Sequence, residues 1–453
     1  MFAALFAASL ALQKHPHVRE ALIVGVSALV IASWGIANLV IFLAVAVANH
    51  AIAMAINRAA EPVSRRILVA AVAGNVVLVL GLFKYANFVA DNLQFLSGLP
   101  MPRFPLGLPL AISFYTFHIV SYLIDLQAGR VAAAPFRKFL FYLIFFPHVI
   151  AGPIVRAWQL MPQIGVIRRI GRYDLAFGLH YLIAGYALKV FGADNIAGVA
   201  DPFWVSGPSP QLTLADRWVL AFLYYCQIYS DFAGYSLMAI GMARLLGYRL
   251  PANFRSPMRA ATLQEFWRRW HITLSRWLRD YLYIPLGGSR RGAVRTAINI
   301  LITMLLGGLW HGAAWGFVLW GAMHGVWLAL ERTVGANRPP SGWPLWTLSW
   351  LVTQVWVTLA FVFFRAPDLG FGARFTAGMF DVLRPDAWVL HDSIGWMLVF
   401  ALPAVLHHVA ALCLVHSPSR RLALSLGLST GVLLVVCFVM QPPPGHPFIY
   451  FRF

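Results

Sequence analysis

Apolar residues in this chain come in long runs separated by short polar or basic stretches. A membrane-spanning helix takes about 20 predominantly apolar residues. Runs near that length cover residues 21–47, 67–89, 106–124, 139–154, 175–191 and 218–246. After a basic stretch they resume at 297–309, 313–330, 345–364, 394–415 and 422–440. With the apolar residues 1–12, the pattern predicts about 10–12 transmembrane helices in an all-α, polytopic integral membrane protein. No fixed short repeat is visible, and no Ser- or Pro-rich linker sets off an appended domain. Residues 1–453 therefore read as a single membrane-embedded domain.

Two of the runs are broken. Pro102, Pro105, Gly107 and Pro109 crowd the start of one, and Pro147, Gly152 and Pro153 interrupt another. Irregular backbone at membrane depth is tolerated only inside protein or beside a water-filled cavity. The breaks predict re-entrant or bent elements around a shielded interior.

Composition sharpens this picture. The chain is 60% hydrophobic and 11% charged, whereas soluble domains carry about 25% charged residues. One packed core cannot hide so much apolar surface, but lipid can. The formal charge of +19 is spread through short loops between apolar runs, which marks topogenic arginine at an anionic membrane face and excludes nucleic acid as a partner. Lys14, His15, His17 and Arg19 follow the first apolar segment, the reverse of a signal peptide, so that segment is expected to be retained. Cys226, Cys413 and Cys437 fit neither a zinc site nor a disulfide framework. His407, His408 and His416 lack a nearby carboxylate or thiolate pair, so no metal site is expected. There is no HExxH, Walker loop or Gly-x-Ser-x-Gly elbow.

The most unusual stretch is 244–295, with eleven arginines and two acids, Glu265 and Asp280. Residues 262–283 contain no Gly or Pro and read as one helix, opened by a capping box of Thr262 and Glu265. Trp267, Trp270, Trp277, Tyr281 and Tyr283 alternate with Arg268, Arg269, Arg276 and Arg279. That mixture suits a cytoplasmic, interfacial helix with rings at headgroup level. On such a helix Trp267 and His271 share a face, with Ser275 one turn further. The residues alone leave His271 open between a membrane anchor and a polar group at the mouth of a tunnel.

Within 296–330 the ionisable side chains are His311 and His324. An ionisable group inside a span is costly and marks a functional site by default. Gly307, Gly308, Gly312, Ala313 and Ala314 flank His311, small residues that let a helix or ligand approach closely. The competing reading is a histidine hydrogen-bonded between helices. On one uninterrupted helix His324 would sit roughly 220° around from His311, so His324 is assigned the structural role. Asp231 is the most interesting acid in a span. It can orient a histidine or pair with an arginine, and a purely structural partnership is equally open.

Moving an acyl group from a thioester to a hydroxyl requires a base for the hydroxyl proton. An imidazole shielded from water stays neutral and able to accept it, and a dry site protects the thioester from hydrolysis. The same ring can instead take the acyl group as a nucleophile. The residues do not separate these routes.

Several stretches carry a family resemblance. They are residues 108–117 (Leu108-Pro109-Leu110-Ala111-Ile112-Ser113-Phe114-Tyr115-Thr116-Phe117), residues 145–156 from Phe145-Phe146-Pro147-His148 to Gly152-Pro153-Ile154-Val155-Arg156, and residues 231–241, 265–288, 305–325 and 447–453. In this order they resemble the membrane-bound O-acyltransferase (MBOAT) family, most nearly its bacterial alginate O-acetyltransferase branch. The D-alanyl transfer proteins of teichoic acid modification are more distantly similar. The likeness departs at Leu237, where these relatives often carry an acid, and weakens over the first hundred residues.

The resemblance implies that His311 is the principal catalytic histidine and His271 the second. Trp310, Asp231, Arg268, Arg279 and Ser275 are candidates for substrate binding. It implies a helical fold around an internal tunnel in the inner membrane, the motifs lying within about 105–330, with the donor entering from the cytoplasmic side. Acetyl-CoA or another acyl thioester is the implied donor substrate, no cofactor is bound, and periplasmic partners pass the acetyl group to an exopolysaccharide. Two rivals stand beside this: D-alanyl or other acyl transfer to teichoic acid or lipid, and a transporter or flippase without acyl transfer.

Overall fold

The computed structural model describes residues 2–105, 107–150, 152–205, 212–382 and 394–413, the side chains of 394, 397 and 406–413 excepted. The run at 422–440, the closing residues 447–453, His416, Cys437 and the side chains of His407, His408 and Cys413 lie outside the described residues. Every regular element among the described residues is helical.

The chain divides into two compact units. The first takes the residues up to Leu179 together with Ala239–Pro251. It holds α1 (Phe2–Ala11), α2 (Pro16–Ala32), α3 (Ile36–Arg58), α4 (Glu61–Ser97), α5 (Ile112–Gln127), α6 (Phe136–Ile144), α7 (Phe146–Val149) and α8 (Ala157–Leu160). Two long helices, α9 (Arg172–Val205) and α10 (Leu214–Leu245), each belong partly to both units. The second unit takes His180–Met238 and the described residues from Ala252 onward. Its further elements are α11 (Leu263–Arg269), α12 (Ile272–Leu278), α13 (Gly292–His311), α14 (Trp315–Thr333), α15 (Trp343–Arg365), α16 (Leu369–Gly378) and α17 (Ile394–Cys413).

Among the described residues five helices, α3, α4, α9, α13 and α15, are long and apolar enough to cross a bilayer. Only 17% of the most apolar window of α4 and 39% of that of α15 is buried. Val69, Val77 and Leu78 on α4, and Leu345, Leu348 and Leu351 on α15, point outward. Each such side chain left in water would forgo about 1.5–3 kcal/mol of transfer free energy. Soluble proteins rarely present apolar bands of this kind; lipid supplies the missing contact.

Three sequence expectations change. At ten residues α1 is too short to cross a membrane. The run 21–47 is two helices, because the chain turns at Ser33-Trp34-Gly35, where Gly35 adopts a φ of 121°. The stretch 262–283 is not one helix either. It stops at Arg269, resumes at Ile272 and finishes in a π-helical turn, Arg279–Tyr283.

The irregular backbone predicted at Pro147, Gly152 and Pro153 is present and buried. At the other predicted break Pro102, Pro105 and Gly107 are exposed and Pro109 alone of the four is buried, so that break lines no shielded interior. After α6 and α7 the chain runs without regular structure through Ile154, Val155 and Arg156, all enclosed. A buried amide or carbonyl needs a partner. His118 Nε2 accepts from the Val155 amide at 3.0 Å, and the Tyr142 hydroxyl donates to the Val155 carbonyl at 2.9 Å. Side chains therefore satisfy both backbone groups of a residue that no helix or sheet serves. Across α3 and α4, Asn49 and Asn75 exchange amide hydrogen bonds at 2.8 and 3.2 Å, the polar adhesion expected where apolar packing distinguishes protein poorly from lipid.

In the second unit, glycine sets how closely helices meet. A Cβ on Gly185 of α9 would fall 2.5 Å from the Gly234 carbonyl oxygen of α10, and one on Gly234 2.7 Å from that of Gly185. This backbone-to-backbone crossing brings Lys189, one turn beyond Gly185, to 2.7 Å from Asp231, about one turn before Gly234. The α13–α14 hairpin is built the same way. A Cβ on Gly308 would lie 2.2 Å from the Phe317 carbonyl oxygen, and one on Gly321 2.4 Å from that of Met304. Gly308→Ala must therefore part the two helices, with an expected loss of about 1–3 kcal/mol. A thermal melt of the detergent-solubilised variant measures it, and an unchanged melting temperature would contradict the close packing.

Candidate functional site

Each of the two histidines expected to be catalytic occupies the end or the break of a helix. His311 is the last residue of α13, and the chain turns through Gly312, Ala313 and Ala314 before α14 begins at Trp315. The premise of one uninterrupted helix through His311 and His324 fails here. The helix folds back on itself, and both rings meet the Trp320 indole, with centroids 5.1 Å and 4.8 Å away. Gly312 is obligatory in the turn, since a Cβ there would fall 2.1 Å from the Phe317 ring. His311 is 4% exposed and touches Trp310, Trp320 and Phe364 edge to face. His324 Nδ1 accepts from the Trp267 indole N–H at 3.4 Å, the structural bond between helices assigned to it.

His271 sits in the gap between α11 and α12 with φ 39°, a left-handed conformation that costs a non-glycine residue about 1–3 kcal/mol. The break has a cause. The neighbouring segment 253–255 takes the backbone groups a continuous helix would use: Arg255 donates its amide to the Arg269 carbonyl, and Ile272 donates to the Asn253 carbonyl, both at 2.9 Å. His271 is fully buried, so it is not an interfacial anchor. Nor do all the tryptophans of this stretch lie at headgroup level. Trp270 and Trp277 are buried, and Trp270 packs on Tyr225, Phe266 and Phe361. Phe232 stands perpendicular to the His271 ring at 4.6 Å. Burial pushes the His271 imidazole down to about 3, so the ring is neutral at physiological pH.

Trp310 joins the two histidines. Its ring centroid is 5.9 Å from that of His271 and 5.0 Å from that of His311. His271, Trp310 and His311 thus form a continuous row of rings inside the second unit.

Near the His271 end of this row is a cavity of about 540 Å³ lined by Trp267, Arg268, Ile272, Ser275, Arg276, Arg279, Tyr283, Met304 and Arg332, among others, with none of His271, Trp310 and His311 in its wall. It reaches Ile272, the neighbour of His271, while four guanidiniums supply positive charge. Arg279 also bonds Asp280 at 2.7 Å, and the Ser275 hydroxyl donates to the Trp270 and His271 carbonyls at the helix break. The cavity wall is held by the start of α11. Thr262 caps the Glu265 amide at 3.1 Å, but Glu265 reaches back to the Ala261 amide, so the predicted box is only half formed. Glu331 of α14 takes the amides of Leu263 and Gln264 at 2.7 and 3.1 Å, filling the positions a helix N-terminus leaves open.

Asp231 is placed apart from the histidine row. Its carboxylate pairs with Lys189, which also holds Asp194 at 2.6 Å. Cys226 is a buried free thiol. Four contributors escaped the sequence reading: Asn253, Phe232, Trp320 and Glu331. Glu331, an acid at the end of an apolar run, was the one with a visible signal. Asn253 stands 18 residues before His271 in a stretch without periodicity, and nothing in its neighbours marks it.

The fold and site define an all-α membrane protein whose interior carries two enclosed histidines near a basic cavity. The membrane-bound O-acyltransferase family model matches residues 112–364, more than half of the chain, and the protein belongs to that family. It is 42% identical over 357 residues to a probable alginate O-acetylase (AlgI) of Pseudomonas aeruginosa, an alignment covering 77% of this chain and 67% of that protein. It is 34% identical over 395 residues to a peptidoglycan O-acetyltransferase of Helicobacter pylori, covering 81% and 74%. A teichoic acid D-alanyltransferase of Bacillus subtilis is 29% identical over 256 residues, covering 53% and 63%. The chain is thus a membrane-bound O-acyltransferase, as the motifs around His271 and His311 imply.

Proposed function

We propose that this enzyme O-acetylates an exopolysaccharide such as alginate, working in the bacterial inner membrane with acetyl-CoA as donor substrate. The observation that carries this reading is the row His271, Trp310, His311 with an arginine-lined cavity near its His271 end. Arg268, Arg276, Arg279 and Arg332 would hold the phosphates of the donor from the cytoplasmic side, where the basic stretch 244–295 lies. Trp267 and Tyr283 offer faces to its adenine or apolar surface to its pantetheine arm. His311 takes the proton of the acceptor hydroxyl as its oxygen attacks the thioester carbonyl. The C–S bond then breaks, and the leaving thiolate recovers that proton. His271 orients the donor end of the same path, and Trp310 fills the space between the rings, keeping water out. Partner proteins on the periplasmic side would carry the acetyl group to the polysaccharide. Identity to the Pseudomonas aeruginosa AlgI over most of the chain favours acetyl over D-alanyl transfer.

The donor assignment is tested with Arg268→Gln/Arg279→Gln in inside-out membrane vesicles given labelled acetyl-CoA. Two lost charge-assisted phosphate contacts of about 1.5–3 kcal/mol each should raise KM by at least about tenfold with a smaller change in kcat. A normal KM for acetyl-CoA, or labelling only from an acylated carrier protein, would reject acetyl-CoA as the donor.

A further inference from the structure

One buried polar contact at the site has no place in the mechanism above. Asn253 Oδ1 lies 3.1 Å from His271 Nδ1 and also accepts from the Thr273 hydroxyl at 2.8 Å and the Thr273 amide at 3.4 Å. Its Nδ2 donates to the Ser236 hydroxyl at 3.1 Å, and Asn253 itself is 1% exposed. The orientation of the amide is determined by this set. Turning it over would set its NH2 against the amide N–H of Thr273, donor against donor.

We infer that Asn253 is a positioning residue that holds His271 as its Nδ1–H tautomer and so leaves Nε2 as the hydrogen-bond acceptor with which that ring orients the donor. This rests on the reading that His271 takes part in the transfer. The chemistry is direct. An amide oxygen carries no proton, so the ring nitrogen facing it must be the donor. A neutral imidazole has one N–H, which leaves the other nitrogen with a bare lone pair. Nε2 is that atom; it is buried and has no hydrogen-bond partner among the described residues. The same asparagine receives the Ile272 amide on its backbone carbonyl, so one residue fixes both the tautomer and the strained break that aims the ring. Phe232 and Trp310 limit rotation from the sides. The loss of such an orienting partner leaves the ring free to adopt the wrong tautomer.

Three variants of the full-length protein in proteoliposomes test this: Asn253→Ala, Asn253→Asp and His271→Ala, each assayed for acetyl transfer across pH. Asn253→Ala should lower kcat by about tenfold or more with donor KM little changed. Asn253→Asp keeps an acceptor oxygen and should recover most of the rate. Its carboxylate favours imidazolium, so the acid limb of its kcat profile should move to higher pH by about one unit. The other groups around the ring leave this shift readable. Phe232 and Trp310 are uncharged, Asp231 is engaged by Lys189, and His311 touches Trp310. If Asn253→Ala works normally while His271→Ala is inactive, Asn253 has no such role. Equal losses in the Ala and Asp variants with an unmoved pH profile mean a structural role only, which also overturns the inference. A fully active His271→Ala rejects the underlying reading of His271 instead. Should Asn253→Ala fail to fold, the pH profile of Asn253→Asp decides alone.

Discussion

Replacing His311 by alanine is expected to reduce acetyl transfer by about 10²–10⁴-fold, the usual contribution of a positioned general base. The expectation follows from where the ring sits. It ends α13, is nearly sealed by Trp310, Trp320 and Phe364, and meets the second histidine through Trp310. His311→Ala also removes buried ring volume, so folding must be monitored separately. His311→Gln preserves more of the bulk and a hydrogen-bonding group but not the base. Both variants should appear in membranes at normal levels and leave the secreted polysaccharide without acetyl ester. Normal ester content in either variant, measured by hydroxylamine release, would remove His311 from the mechanism. A rate loss matched by an equal loss of folded protein would assign the ring to packing instead.

The second large effect is on stability. Lys189 lies between Asp194 and Asp231, and all three side chains are largely enclosed, at 17%, 14% and 2% exposure. Lys189→Met removes the ammonium and leaves two carboxylates facing each other in a low-dielectric setting. Removing one member of a buried ion pair costs about 3–5 kcal/mol, because the remaining charge keeps its desolvation penalty. Asp231→Asn added to Lys189→Met should restore part of that loss, since one of the stranded charges goes with it. A double-mutant cycle on thermal or denaturant melts in detergent reads the coupling directly. Additive losses would mean that the pair contributes nothing to holding α9 against α10. The consequence extends to the site, because α10 also carries Phe232, the ring that stands against His271.

Much of this was legible from the residues. Helical structure, membrane residence and the buried irregular backbone around Pro147 and Pro153 followed from apolar run length and from the prolines and glycines within the runs, but the same signal at Pro102, Pro105 and Gly107 marks exposed chain. His311 was conspicuous as one of two ionisable groups in a long apolar stretch, and the glycines around it announced close packing, which Gly308 and Gly321 bear out. The boundaries were less readable. A run such as 21–47 carries no sign of its turn at Gly35 except the glycine itself. The single helix drawn through 262–283 was wrong because local propensity speaks only for neighbours. The segment 253–255, which supplies the competing hydrogen bonds, lies too far along the chain to be weighed.

What the chain determines by itself is the set of things that depend on composition and period. These are apolar runs that must leave water, basic stretches that must stay near it, and a histidine, His311, set within an apolar run where an ionisable group is costly. What the folded molecule alone decided is which of those groups meet. His271 faces Trp310 rather than lipid, His324 bonds Trp267, and Asp231 pairs with Lys189. The reason is physical. Hydrophobic burial has no direction and is readable from composition, whereas a hydrogen bond or ring contact holds only within a few ångströms, and the distance between residues remote in sequence exists only once the helices have packed.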